Sequence, residues 1–145
     1  MHDEACATYE DMIINMQLGH KFLQDNFGVQ PKIGWTIDPF GHSSTNARLF
    51  AEMGFDAWFF ARQDWADEQT ETDAGNKEWV HYPNGDRLGQ NVSIFTHKMY
   101  GNYYGPKSYD LTDNNRPFVD VEGSDTFDAE KEAEDLANNF RDRAK

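Results

Sequence analysis

Asp38 is the residue whose setting best suits chemistry. It ends a short β-type run, Lys32 to Ile37, and precedes the rigid Pro39 and the aromatic Phe40. A carboxylate held there can ligate a metal or attack an electrophilic carbon. It can equally open an Asx turn or cap the next helix, and position alone leaves both readings open. Arg62 follows a second β-type run, Phe55 to Ala61. Its guanidinium can pin a carboxylate or a ligand hydroxyl, or form a surface pair with Asp64 or Asp67 that is worth little. His42 lies four residues after Asp38, which raises zinc. Pro39 and Gly41 put a turn between them, and a hydrogen-bonded structural histidine is the favoured reading. His2, His20, His81 and His97 are scattered, and no HExxH, P-loop or GxSxG pattern occurs. The single cysteine, Cys6, excludes an internal disulfide and a cysteine zinc knuckle. It reads as a small apolar residue near a helix start.

The elements that must position these groups read as an α/β pattern. A helix is expected from about Ala7 to Asp25, with Tyr9, Met12, Ile13, Met16 and Leu23 as one apolar stripe and Asn26 and Gly28 as stop signals. A strand follows over Lys32 to Ile37. Ser43, Ser44 or Thr45 can cap a helix running to Met53, and Gly54 suits a left-handed position after it. Phe55 to Ala61 is apolar enough for a strand buried on both faces. Strand, helix, strand at this spacing is a βαβ unit with parallel strands and a right-handed crossover. Sites in parallel sheets gather outside the carboxyl ends of the strands, so Asp38 and Arg62 should share one rim. Asp64 to Asn91 reads as a long polar excursion with one short strand at Trp79 to Tyr82. Ser93 to Thr96 is a further strand, and Tyr100 to Pro106 is an aromatic loop. A last helix spans about Asp128 to Arg143, acidic early and with Arg141 and Arg143 late.

The chain has 145 residues and a net charge of -13. That charge repels phosphate backbones and anionic lipid, so neither nucleic acid nor membrane is an expected partner. No apolar run reaches the ~18 residues of a membrane span. Aromatic residues make up 14% of the chain, with Trp35, Phe40, Trp65, Tyr103 and Tyr104 placed near the expected rim. Their faces suit the apolar faces of sugar rings, although core packing explains most aromatics equally well.

One resemblance goes further. Gly34-Trp35-Thr36-Ile37-Asp38-Pro39-Phe40-Gly41-His42-Ser43, then Leu49-Phe50-Ala51-Glu52-Met53-Gly54-Phe55-Asp56 and Phe59-Phe60-Ala61-Arg62, closely resembles family 38 glycoside hydrolases. These are zinc-dependent retaining α-mannosidases, and the lysosomal ones look most similar. Met1-His2-Asp3-Glu4-Ala5, Leu18-Gly19 and Phe22-Leu23 fit the same pattern. The match is specific over 1–67, weak across a variable excursion at 68–95 and looser over 96–145. Trp65 stands where a tyrosine is usual.

The resemblance implies part of a parallel-stranded, seven-stranded β/α-type glycosidase catalytic domain. It makes Asp38 the nucleophile and a zinc ligand. Phe40 and Arg62 would line the mannose subsite, and Tyr103 would contact substrate. The activity implied is hydrolysis of terminal α-mannosyl linkages on glycoprotein glycans through a covalent glycosyl-enzyme. The remaining zinc ligands and the acid/base aspartate are expected outside this chain, which is thus read as an internal fragment, inactive alone, whose partners are mannose-containing glycans and the rest of the catalytic domain. A truncated or degenerate relative with at most weak sugar binding is the alternative. A lysosomal, vacuolar or secretory location follows from the resemblance, with mild support from the acceptor triplet Asn91-Val92-Ser93.

Overall fold

A computed structural model of the protein describes residues 1–101, 103–105, 109, 119, 121–125 and 127–144. The readings that fall on Asn102, Pro106, Asn115 and Asp120 lie outside the described residues. The chain divides into two compact units, Met1–Asn102 and Tyr103–Lys145. The first holds α1 (Tyr9–Phe27), β1 (Ile33–Thr36), α2 (Ser44–Glu52), β2 (Ala57–Phe60), α3 (Trp65–Ala74), β3 (Glu78–His81), the short α4 (Gly85–Leu88) and β4 (Ile94–Lys98). The second holds α5 (Ala129–Arg143). No helix among the described residues is long and apolar enough to cross a membrane.

The strands form a mixed, mostly parallel sheet in the order β1-β2-β4-β3. β1 and β4 both run parallel to β2, and β3 returns antiparallel to β4. The βαβ unit expected from the sequence is therefore present, with each strand shorter by a residue or more at its ends.

Alternation sorts the sheet into two faces. On one face Thr36, Trp58, Phe60, Ile94, Thr96 and Lys98 are buried. The core packs there, with Ala47 and Phe50 of α2 against Phe55, Trp58, Phe60 and Ile94. Gly34 belongs to this face because Phe50 leaves no room for more: a Cβ added to Gly34 would stand 2.6 Å from the Phe50 ring. On the other face Ile33, Trp35, Phe95 and Val80 stay exposed. Trp35, Phe59 and His97 form an edge-to-face row across three strands there, with ring centroids 6.3 and 4.9 Å apart. Phe59 is only partly buried, so the expectation that β2 is buried on both faces holds for its other residues.

α1 starts at Thr8, whose hydroxyl accepts the Asp11 amide, and ends at Gly28, whose φ of 67° supplies a left-handed cap. Its inward line corrects the expected stripe. Met12 is buried and Met16 and Leu23 partly so, while Tyr9 and Ile13 are exposed. His20 takes the intervening place, edge-on to Phe55 at 5.1 Å. The line thus runs through Met12, Met16, His20 and Leu23, three to four residues apart, and a second apolar line, Ile14, Leu18 and Phe22, faces outward. Cys6 is also exposed rather than packed.

The polar excursion is the largest difference from the sequence reading. Its strand lies within one residue of the expected place, but α3 was not expected. α3 has no buried residue, so it carries no apolar period to read. Local polar chemistry holds it instead. Asp64 caps it by accepting the Ala66 amide, Asp67 and Glu68 face the dipole, and Gly75 closes it at φ 68°. One long-range tie fixes it to the sheet: the fully buried Lys98 Nζ donates to Glu68 Oε1 at 2.7 Å and to the Met99 carbonyl at 2.8 Å.

In the second unit, α5 begins one residue after the expected position. Asp128 caps it by accepting the Lys131 amide, and the Tyr109 hydroxyl donates to the Glu132 carbonyl at 2.8 Å.

Candidate active site

Parallel register decides where the functional groups go. Thr36 pairs with Phe60 across β1 and β2. Asp38 and Arg62 each lie two residues further on, so the two chains leave the sheet side by side. Arg62 Nε donates to Asp38 Oδ1, and both side chains are a little over one-third exposed. The Arg62 guanidinium also sits over the Phe40 ring, 4.8 Å from its centroid. The Phe40 ring is 75% exposed, so its outer part is free to be covered by a ligand. Asp38, Phe40 and Arg62 therefore form one cluster at the carboxyl rim.

The local sequence explains the cluster. Pro39 is buried and stiffens the exit from β1. Gly41 turns the loop with φ 126°, a conformation that disfavours any side chain. Ser43 caps α2 by accepting the Thr45 amide at 3.1 Å. Asp38 is thus not the cap that its position also allowed. Arg62 takes Asp38 as its carboxylate, while the alternative Asp64 is spent on α3. Beneath the cluster Trp58 Nε1 donates to Thr36 Oγ1 at 2.7 Å, a buried bond that ties β2 to β1.

His42 is a hydrogen-bonded histidine. Its Nε2 donates to the Arg62 carbonyl at 2.7 Å, and its Nδ1 faces Glu4 Oε1 at 3.4 Å. The ring lies on Phe60 and Trp58, with centroids at 4.4 and 5.4 Å. Glu4 is a residue to which the sequence pointed only as part of a matching segment. Its side chain is 2% exposed, and its Oε2 accepts the Ser43 amide at 2.5 Å. The readable signal was an acidic residue in an otherwise unexplained segment, and its partners lie about forty positions away, beyond any local pattern. His2 of the same segment contacts Asn46 Oδ1 through Nε2 at 2.8 Å.

Tyr103 and Trp65 have their own surroundings. Tyr103 belongs to the second unit, where its ring packs on Tyr104 at 5.0 Å. Trp65 opens α3 and is almost fully exposed. Among the described residues no group of three or more His, Cys, Asp or Glu side chains is gathered as a metal site would require. A groove of about 570 Å³ is lined by Ile13, Gln17, His20 and Met53 among others, and contains none of the cluster residues.

Comparison with known proteins returns one consistent answer. Residues 1–145 match the Glycosyl hydrolases family 38 N-terminal domain. A lysosomal alpha-mannosidase of Dictyostelium discoideum is 40% identical over 120 residues, covering 83% of this chain and 12% of that protein. An alpha-mannosidase of Canavalia ensiformis is 38% identical over 146 residues, 99% of this chain and 14% of its own. A lysosomal alpha-mannosidase of Felis catus is 37% identical over 144 residues, 97% and 14% respectively. The chain thus spans about one-seventh or less of the length of these relatives.

Proposed function

The chain belongs to the N-terminal domain of the family 38 glycosyl hydrolases, and from that membership we propose that it supplies the nucleophile region of a retaining α-mannosidase acting on terminal mannose of glycoprotein glycans. The observation that carries the proposal is the Asp38–Arg62–Phe40 cluster at the rim of the parallel strands. It offers one carboxylate, one fixed cation and one open aromatic face at the ends of two adjacent strands.

The roles follow from those groups. Asp38 attacks the anomeric carbon and becomes the ester of the glycosyl-enzyme. Arg62 engages Oδ1, which orients the carboxylate. The guanidinium is a donor that suits a sugar hydroxyl. Phe40 gives the sugar an apolar surface. In a retaining enzyme a second carboxyl group, about 5–5.5 Å from the nucleophile, protonates the leaving oxygen and then activates water. That group is assigned to chain outside residues 1–145. Tyr103 is assigned a contact with the substrate by resemblance.

Zinc belongs to the same reading. Zinc in proteins takes three or four protein ligands, and the described residues do not gather such a set. Asp38 is therefore proposed as one ligand, the others lying outside this chain, and no step here runs through the metal. Lysosomal or vacuolar residence is part of the proposal. Two relatives are named lysosomal, and Asn91 of the acceptor triplet is exposed.

The test uses the full-length enzyme that carries this chain and a chromogenic α-mannoside. Asp38→Asn should abolish turnover, and wild-type activity in that variant would remove the nucleophile assignment. The rival reading, a non-catalytic relative, predicts no turnover in either form. Zinc titration of the 145-residue chain tests the ligand assignment separately, since tight stoichiometric binding would contradict a set completed elsewhere.

A further inference from the structure

We propose that Glu4 is a positioning residue that holds Asp38 and Arg62 in register. The inference rests on Asp38 being the reacting carboxylate. It stands on a closed circuit of bonds. Glu4 Oε2 accepts the Ser43 amide at 2.5 Å, and Glu4 Oε1 faces His42 Nδ1 at 3.4 Å. His42 Nε2 donates to the Arg62 carbonyl at 2.7 Å. The Arg62 side chain returns to Asp38, and five residues of backbone lead from Asp38 to Ser43. The loop after β1 and the chain after β2 are thus joined twice, once through the reacting pair and once through Glu4 and His42.

Burial makes the second connection strong. The Glu4 side chain is 2% exposed and the His42 side chain 20%. A carboxylate so placed must be satisfied by protein donors, and a charged acceptor on a backbone N–H is among the stronger hydrogen bonds. Glu4 also lies at the start of α2, where the helix dipole favours a negative charge. A local turn presents it: the Asp3 carbonyl accepts the Ala7 amide at 3.3 Å, and Asp3 Oδ1 accepts the Ala5 amide at 2.8 Å. His2 fixes the same segment to Asn46 on the first turn of α2. By contrast, the Asp38–Arg62 pair is more than one-third exposed, and an exposed pair holds its own geometry weakly. The buried circuit supplies the rigidity that the exposed pair lacks.

The experiment is nuclear magnetic resonance on the 145-residue chain and its Glu4→Gln and Glu4→Ala variants, with the Trp58 Nε1–H signal as the check that the sheet is intact. In the unmodified chain a coupling through the hydrogen bond between the Ser43 amide and the Glu4 carboxylate carbon is expected. In Glu4→Ala the Ser43 amide moves upfield. Solvent exchange of the Arg62 Nε–H rises by about tenfold or more, as expected for a locally loosened segment, while β2 and β4 amides keep their protection. Glu4→Gln should fall between the two. An unchanged Arg62 Nε–H signal in folded Glu4→Ala overturns the proposal, as does absence of the coupling in the unmodified chain. Unfolding of both variants while Asp38→Asn stays folded also overturns it, because Glu4 would then serve the whole core. None of these signals requires turnover. A full-length enzyme active with Asp38→Asn would remove the nucleophile reading and leave the circuit standing.

Discussion

Thr36→Val isolates the bond beneath the Asp38–Arg62 pair. Thr36 is fully buried and Trp58 nearly so, and their contact is 2.7 Å long. Valine keeps the shape of threonine and removes the acceptor, leaving the Trp58 indole N–H buried without a partner. Such a group costs about 1–3 kcal/mol, so a loss of about 2 kcal/mol is expected. With a urea slope of about 2 kcal/mol per M for a chain of this size, the unfolding midpoint should fall by about 1 M at unchanged slope. All four tryptophans lie in the unit Met1–Asn102, so their fluorescence reports that unit alone. The Trp58 Nε1–H resonance should move upfield. In a Trp58→Phe background the same valine substitution should cost about 1 kcal/mol less, because no donor is stranded. A midpoint shift below about 0.2 M in the wild-type background would refute the reasoning, since it would mean that water or another acceptor reaches the indole.

Two further outcomes are expected. Gly34→Ala puts a Cβ 2.6 Å from a fully buried Phe50 ring; overpacking of that kind costs about 1–3 kcal/mol, read as a lower urea midpoint, whereas Gly19→Ala meets nothing within 4 Å and should stabilise α1 by up to about 1 kcal/mol. His81 gives a pH dependence: burial lowers its pKa from the ordinary 6.5, so the unfolded chain binds its proton first as pH falls. Its effect is flat above about pH 6.5 and turns against the folded state below that value. The urea midpoint of His81→Gln should therefore fall less steeply than that of the wild type between about pH 6.5 and 5.

What could be read in the sequence follows the range of the interactions. The strand ends at Asp38 and Arg62 were legible because short β-branched and aromatic runs with a helix between them fix a parallel register, and register alone brings the two side chains together. Ser43 and Gly28 were legible as helix-end signals because a cap acts within four residues. α3 was not legible, since it buries nothing and leaves no apolar period. The inward line of α1 was misjudged because two apolar lines coexist on it, and only the neighbour Phe55 selects the one that contains His20. The contacts of Glu4 were not legible, because its partners His42 and Ser43 stand 38 and 39 positions away and no short-range rule connects them.

The exposed face of the sheet has a thermal consequence. Ile33, Trp35, Val80 and Phe95 are already partly hydrated in the folded chain. Unfolding therefore uncovers less new apolar surface than the chain length suggests. Apolar exposure is what raises the heat capacity on unfolding, so the increment should fall below the usual ~12–15 cal/mol/K per residue. A smaller increment flattens the dependence of stability on temperature. The 145-residue chain should therefore lose little stability on cooling from its optimum.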